Sequence, residues 1–264
     1  MTEPQIEHLT AKAAATIESL SFGYVRDAPV VQAVSASLAA GQLCALVGPN
    51  AAGKSTLLRL MLGHLAPWSG TIQVGGREVR RLDAARRAAW ISYVPQRGSS
   101  SFAFTVEQVV AMARTMNGAD HAAVESALQT CDLGPLRGRV YPHLSTGQQQ
   151  RVMLARALAQ SAGDGRVMLL DEPASAMDLR HVHRTMQLLV ESARSGLAVL
   201  AVLHDLNLAA RYADQVWLMH EGRLVATGPR QQVMIPQVLE PVYGLRLRAI
   251  RPEGYDRDLF IASI

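Results

Sequence analysis

Chemistry in this chain concentrates in a few short stretches. Residues 48–56 read Gly48, Pro49, Asn50, Ala51, Ala52, Gly53, Lys54, Ser55, Thr56, the G-x-x-x-x-G-K-[ST] spacing of a phosphate loop. Backbone N–H groups of such a loop converge on phosphate oxygens, and the helix that follows adds the positive end of its dipole. This spacing lets Lys54 reach the β- and γ-phosphates of a nucleotide and the Ser55 hydroxyl coordinate Mg²⁺. Lysine occurs only at Lys12 and Lys54 in a chain whose other basic residues are arginine. A planar guanidinium is too wide for the pocket that an ammonium fits. Residues 167–172 read VMLLDE. An apolar strand ending in Asp171 holds a carboxylate toward Mg²⁺, and Glu172, one residue on, polarises an attacking water. Residues 144–148 read LSTGQ, where Ser145 and Gln148 have capping-box spacing. That places Ser145 and the Gly147 amide at a helix N-terminus, an anion site.

These groups meet only if each stretch ends or begins a regular element. Residues 43–48, 71–74, 90–94, 167–170 and 198–203 read as buried strands of a mainly parallel sheet. Residues 216–220 and 223–227 flank Glu221-Gly222 as a hairpin. Between Gln96 and Gln160 only helical patterns occur; Thr105 and Gln108 form a second capping box, with Val106, Val109, Val110 and Ala113 on one face. A helical subdomain is therefore expected inside an α/β core: residues 1–95 and 161–230 for the core and 96–160 for the insertion. The segment 231–264 reads as a helix and a short strand.

Composition narrows the classes. With 264 residues, 49% hydrophobic and 18% charged, the chain suits one large α/β domain with a subdomain and excludes disorder. Two cysteines make no disulfide framework, and Cys131 continues the helical apolar series Val124, Ala127, Leu128. The net charge of +4 is spread over arginine pairs such as Arg80-Arg81, without the basic runs of a nucleic-acid surface. The polar start MTEPQIEHLT argues against a secretory leader. Residues 28–53 carry no charge, yet Gln32, Ser35, Gly41, Pro49 and Asn50 interrupt them too often for a membrane span.

Taken together these stretches resemble the ATP-binding-cassette (ABC) ATPases, LSTGQ standing for the LSGGQ signature. The resemblance runs from about residue 15 to 245. It implies a RecA-like, mainly parallel sheet with an antiparallel β part and an inserted helical subdomain. It also assigns Tyr24 to stacking on adenine and Gln96, in YVPQ, to sensing Mg²⁺ and the attacking water. The stretch SAMD, Ser175 to Asp178, resembles the D-loop, and His204 the switch histidine on the γ-phosphate. His181 and His183 are read as surface residues. Ala51, Thr146 and Met177 depart from the usual Gly, Gly and Leu; Thr146 bears on the geometry of the signature loop.

In this family the signature of one subunit completes the phosphate site of the other. The resemblance thus implies a homodimer that hydrolyses ATP with Mg²⁺. Residues 203–214 (LHDLNLAARYAD), with SAGDGRV at 161–167 and DLRHVH at 178–183, resemble the separate ATPases of metal-chelate importers, haem importers foremost and ferric-siderophore or cobalamin importers next. Such a subunit works at the cytoplasmic face of the bacterial inner membrane, on two integral-membrane permease subunits served by a periplasmic haem-binding protein, with no nucleic acid involved. A soluble ABC ATPase acting on ribosomes or DNA, usually with two cassettes or a long coiled coil, fits less well. A nucleotide-binding regulator without turnover conflicts with intact Glu172 and His204. In SSSFAFT at residues 99–105, Phe102 and Phe104 either fill the helical core or line a groove for a permease helix.

Overall fold

The computed structural model describes residues 13–96, 103–114, 120–254 and 257–263. In chain order the strands are β1 (Ala13–Phe22), β2 (Val31–Ala39), β3 (Leu43–Val47), β4 (Ser69–Val74), β5 (Arg77–Glu78), β6 (Ile91–Val94), β7 (Val167–Asp171), β8 (Ala198–Val202), β9 (Gln215–His220), β10 (Arg223–Pro229), β11 (Arg246–Ile250) and β12 (Leu259–Ser263). The α-helices are α1 (Lys54–Met61), α2 (Ala84–Trp90), α3 (Val106–Ala111), α4 (His121–Thr130), α5 (Thr146–Ser161), α6 (Leu179–Arg194), α7 (Leu206–Tyr212), α8 (Arg230–Val233) and α9 (Pro236–Tyr243).

The central sheet runs β10-β9-β3-β8-β7-β6 and is parallel except for the edge strand β10. Every residue of β3, β7 and β8 is buried, as their unbroken apolar sequences require of strands covered on both faces. Because successive side chains alternate, β3 feeds two cores. Leu43, Ala45 and Val47 join the helices of one face, while Cys44 and Leu46 meet the second sheet on the other. Each buried Leu or Val side chain there contributes about 1.5–3 kcal/mol.

The second sheet, β2-β1-β4-β5, is antiparallel throughout. Residues 71–74 belong to it and not to the parallel sheet expected from their sequence. The inner half of β4 alternates, with only Ile72 and Val74 buried, because one face is open to water. Strands β1 and β2 were not among the expected strands; several register shifts break their alternation.

Among the described residues 103–161, the packing is helical. Helices α3, α4 and α5 bury Val106, Val109, Val110, Val124, Ala127, Leu128 and Cys131 around Tyr141. Both capping boxes form: the Thr105 side chain accepts from Gln108 N–H and Ser145 from Gln148 N–H, each glutamine returning the bond. Phe104 packs against this core; Phe102 lies outside the described residues. The C-terminal segment is a hairpin, β11 with β12, where one strand was expected. Its Phe260 and Leu247 are buried in the main core. Asn207, in the first turn of α7, pairs with it as a strand would, accepting from Phe260 N–H at 2.7 Å and donating to the Phe260 carbonyl at 3.2 Å. Among the described residues no helix is long and apolar enough to cross a membrane.

Candidate functional site

The phosphate loop joins β3 to α1 with Gly53 as N-cap. The first-turn N–H groups of α1 therefore have no side-chain cap and face out of the loop. A Cβ at Gly48 would sit 2.0 Å from the Met219 carbonyl oxygen, so only glycine lets the loop leave β3 against β9. Ala51 holds φ +62°, the left-handed region. Lys54 is buried, 6% exposed, and its Nζ donates to the Gly48 and Pro49 carbonyls at 2.7 Å each. Burial pushes its ammonium below the ordinary lysine value, against the pull of Glu172 and Asp171.

Asp171 closes β7 and Glu172 follows it into the space beyond the sheet. The Ser55 hydroxyl donates to Asp171 Oδ1 at 3.2 Å. Burial raises the Asp171 carboxyl, with Ser55 opposing and the neighbouring Glu172 charge adding to it. Two hard oxygen donors from separate elements, one an under-compensated carboxylate, suit a small divalent cation. Glu172 adopts φ +52°, a left-handed conformation rare for a side chain of this size. Its carboxylate is gripped from both sides: Gln96 Nε2 donates to Oε2 at 2.7 Å, and His204 Nε2 lies 2.5 Å from Oε1. Lys54, Ser55, Asp171, Glu172, Gln96 and His204 thus converge beyond the carboxyl ends of the neighbouring parallel strands β3, β8, β7 and β6.

Tyr24 is 55% exposed, its ring set edge-on to Phe22 at 5.1 Å, and its hydroxyl lies 3.3 Å from Thr56 Oγ1. An exposed aromatic face fixed to the helix of the phosphate loop is what base stacking needs. Ser145, Gly147 and Gln148 lie elsewhere. They line a separate cleft with Thr146, Arg151, Ala176, Met177, Asp178 and His181, and no phosphate-loop residue borders it. Thr146 is the exposed first residue of α5 and leaves the Ser145 capping box intact. A Cβ at Gly147 would meet the Ala176 carbonyl oxygen at 2.9 Å, so this glycine admits the SAMD loop against the helix.

Residues 31–175 match the family described as ABC transporter. A hemin import ATP-binding protein HmuV of Pseudomonas fluorescens (strain Pf0-1) is 44% identical over 224 residues, 83% of this chain and 88% of that protein. One of the same description from Pseudomonas entomophila (strain L48) is 42% identical over 222 residues, 82% and 87% of the two chains. The chain belongs to the ABC transporter ATP-binding family. It is an ATPase that binds ATP and serves a membrane transporter. Among solved structures, a chain of an inward-facing metal-chelate type ABC transporter superposes with TM-score 0.80 at 27% identity, covering 96% of this chain and 98% of that one. An ATP-binding subunit of an ABC transporter does so with TM-score 0.78 at 25% identity, covering 88% and 98%. The fold is that of the ABC ATPases.

Several residues of this ABC ATPase escaped sequence reasoning. His181 and His183, expected at the surface, are half-buried and partnered: His181 Nδ1 is 2.8 Å from Asp178 Oδ2, and His183 Nδ1 is 2.7 Å from the Tyr212 hydroxyl. Gln150 is buried on the apolar face of α5 among the site's loops. Its signal was available, since it shares the face of Met153, Leu154 and Ala157, where a polar residue needs a reason. Among the described residues no three or more His, Cys, Asp and Glu side chains gather into a metal cluster, so a cation here would rest on Ser55 and Asp171.

Proposed function

We propose that this chain is the ATP-hydrolysing subunit that powers import of haem through a membrane permease, acting as a nucleotide-binding homodimer. The observation that carries the reading is the Glu172 carboxylate held between Gln96 and His204 beside Lys54, Ser55 and Asp171. Tyr24 stacks on adenine. The loop from Gly48 to Thr56 wraps the phosphates, and Lys54 exchanges its carbonyl partners for β- and γ-phosphate oxygens. Ser55 and Asp171, with Gln96, would hold Mg²⁺, which when bound neutralises phosphate charge. Glu172 accepts a proton from the attacking water as its oxygen bonds to the γ-phosphorus and the bond to ADP breaks. His204 orients the Glu172 carboxylate and reaches the γ-phosphate; Ser145, Gly147 and Gln148 serve the site of the second subunit.

The division of labour follows the same reading: residues 1–95 and 161–230 form the ATP-binding core, 96–160 the signature subdomain and 231–264 an extension. Haem as cargo is supported by the hemin import relatives, which match most of the chain. The subunit is placed at the cytoplasmic face of the bacterial inner membrane against two permease subunits, with a periplasmic haem-binding protein supplying cargo. Glu172→Gln should retain ATP binding and lose steady-state hydrolysis, whereas Lys54→Ala should lose affinity for ATP. Equilibrium binding and phosphate release read the two outcomes; normal turnover in Glu172→Gln overturns the assignment. Haem uptake by vesicles reconstituted with the permease, against a ferric siderophore and cobalamin, tests the cargo.

A further inference from the structure

Glu172 carries its carboxylate on a backbone that an L-residue adopts reluctantly, with φ +52°. A strained conformation persists only when its surroundings over-determine it. The Glu172 carbonyl accepts from Ser175 N–H at 3.3 Å, from the Ser175 hydroxyl at 3.2 Å and from Gln150 Nε2 at 3.4 Å. Ser175 belongs to the same turn and moves with it. Gln150 does not: it projects from α5, the helix whose first turn is the signature. It is 2% exposed, and its amide touches both the segment of Gln96 and the turn that follows Glu172. Nε2 also lies 3.3 Å from the Gln96 carbonyl and 3.3 Å from Ser175 Oγ, while Oε1 accepts from Ala176 N–H at 3.3 Å. Two N–H donors are thus shared among three acceptors, and the carbonyl oxygen fastens the SAMD loop.

From this arrangement we infer that Gln150 is a positioning residue for hydrolysis, fixing the backbones of Gln96 and Glu172 from the signature helix. The inference rests on the assignment of Glu172 above. Gln96 and Glu172 meet through side chains at 2.7 Å, and Gln150 sets the separation of the two backbones that makes this contact. An apolar side chain in its place keeps the volume but leaves Ala176 N–H without its Gln150 partner and frees the Gln96 carbonyl from it. A carboxylate displaced by a fraction of an ångström loses rate without losing nucleotide, because none of the contacts of Lys54 or Tyr24 involves Gln150.

The test uses the full chain with Gln150→Met, of similar length and without hydrogen bonds, and Gln150→Glu, which keeps the acceptor for Ala176 N–H but loses the amide donors. Each is measured for thermal unfolding, ATP affinity, kcat and KM, alone and combined with Glu172→Gln. The expected result is a folded protein with ATP affinity and KM within about twofold of the parent. Its kcat should fall by about tenfold to a hundredfold. In the Glu172→Gln background, Gln150→Met should add no further loss, since both act through one group. Near-parental kcat in a folded Gln150→Met protein overturns the inference, as does a loss of ATP affinity parallel to that of rate. Failure of both variants to fold makes Gln150 a core residue only and overturns it too. Normal turnover in Glu172→Gln defeats the assignment of Glu172 itself, an outcome distinct from an inactive Glu172→Gln with a fully active Gln150→Met.

Discussion

Two side-chain-bearing residues of the proposed nucleotide site stand in left-handed backbone, and they differ in what holds them. Glu172 is braced by the hydrogen bonds on its carbonyl, whereas Ala51 is exposed at the tip of the phosphate loop. Left-handed geometry costs an L-residue roughly 1–2 kcal/mol, partly offset by the lower chain entropy that alanine has over glycine when unfolded. Ala51→Gly should therefore raise stability by roughly 0.5–1 kcal/mol. Urea unfolding checks this, and a drop in the midpoint at constant slope would contradict it.

At the scale of elements, the helical region is tied together by one arginine. Arg137, between α4 and α5, donates to Glu107 on α3 at 2.5 Å and to Glu125 on α4 at 2.8 Å. The bond from Arg137 holds the Glu107 carboxyl below the ordinary glutamate value. A carboxyl lowered in the folded state contributes stability above its unfolded pKa and loses it as pH falls through the folded one. Arg137→Met should hence melt below the parent at neutral pH, with the gap narrowing as pH falls through the acid range. The paired side chains are more than a third exposed, so added salt should shrink the gap as well. A gap independent of pH and salt would mean that Arg137 acts through packing alone.

Across the whole molecule, the residues proposed for nucleotide chemistry lie in two places. Lys54, Ser55, Asp171, Glu172, Gln96 and His204 gather beyond the carboxyl ends of the parallel strands, and Ser145 with Gly147 opens into a cleft bordered by the SAMD loop. Among the described residues the Ser145 hydroxyl serves to cap α5. Two chains facing head to tail would bring each cleft to the other's phosphate loop. Ser145→Arg and Lys54→Ala should each be inactive alone, and their mixture should recover part of the parental rate through one intact composite site. Turnover that stays at the parental rate in either variant, or that does not depend on protein concentration in the parent, would rule out a shared site.

How much of this could be read from the chain before folding depends on the range of the cause. The phosphate loop, the strand ending in Asp171 and both capping boxes were legible because each is dictated by neighbours within a few residues: glycine spacing, an apolar run, a cap three positions before its partner. Strands β1 and β2 were not legible, since irregular pairing breaks the alternation that would mark them, and β4 was misplaced because four strand-like residues do not say which sheet they join. Glu172 was read from the strand that precedes it, and Gln96 and His204 from the family resemblance, but the grip of two side chains on one carboxylate arises from the ends of three different strands. The burial of Gln150 was legible from its place on the apolar face of α5, but what it holds was not, for the same reason. Its partners lie 22 to 54 residues away in sequence, and only the packing of α5 against the ends of β6 and β7 brings them within reach of a single amide.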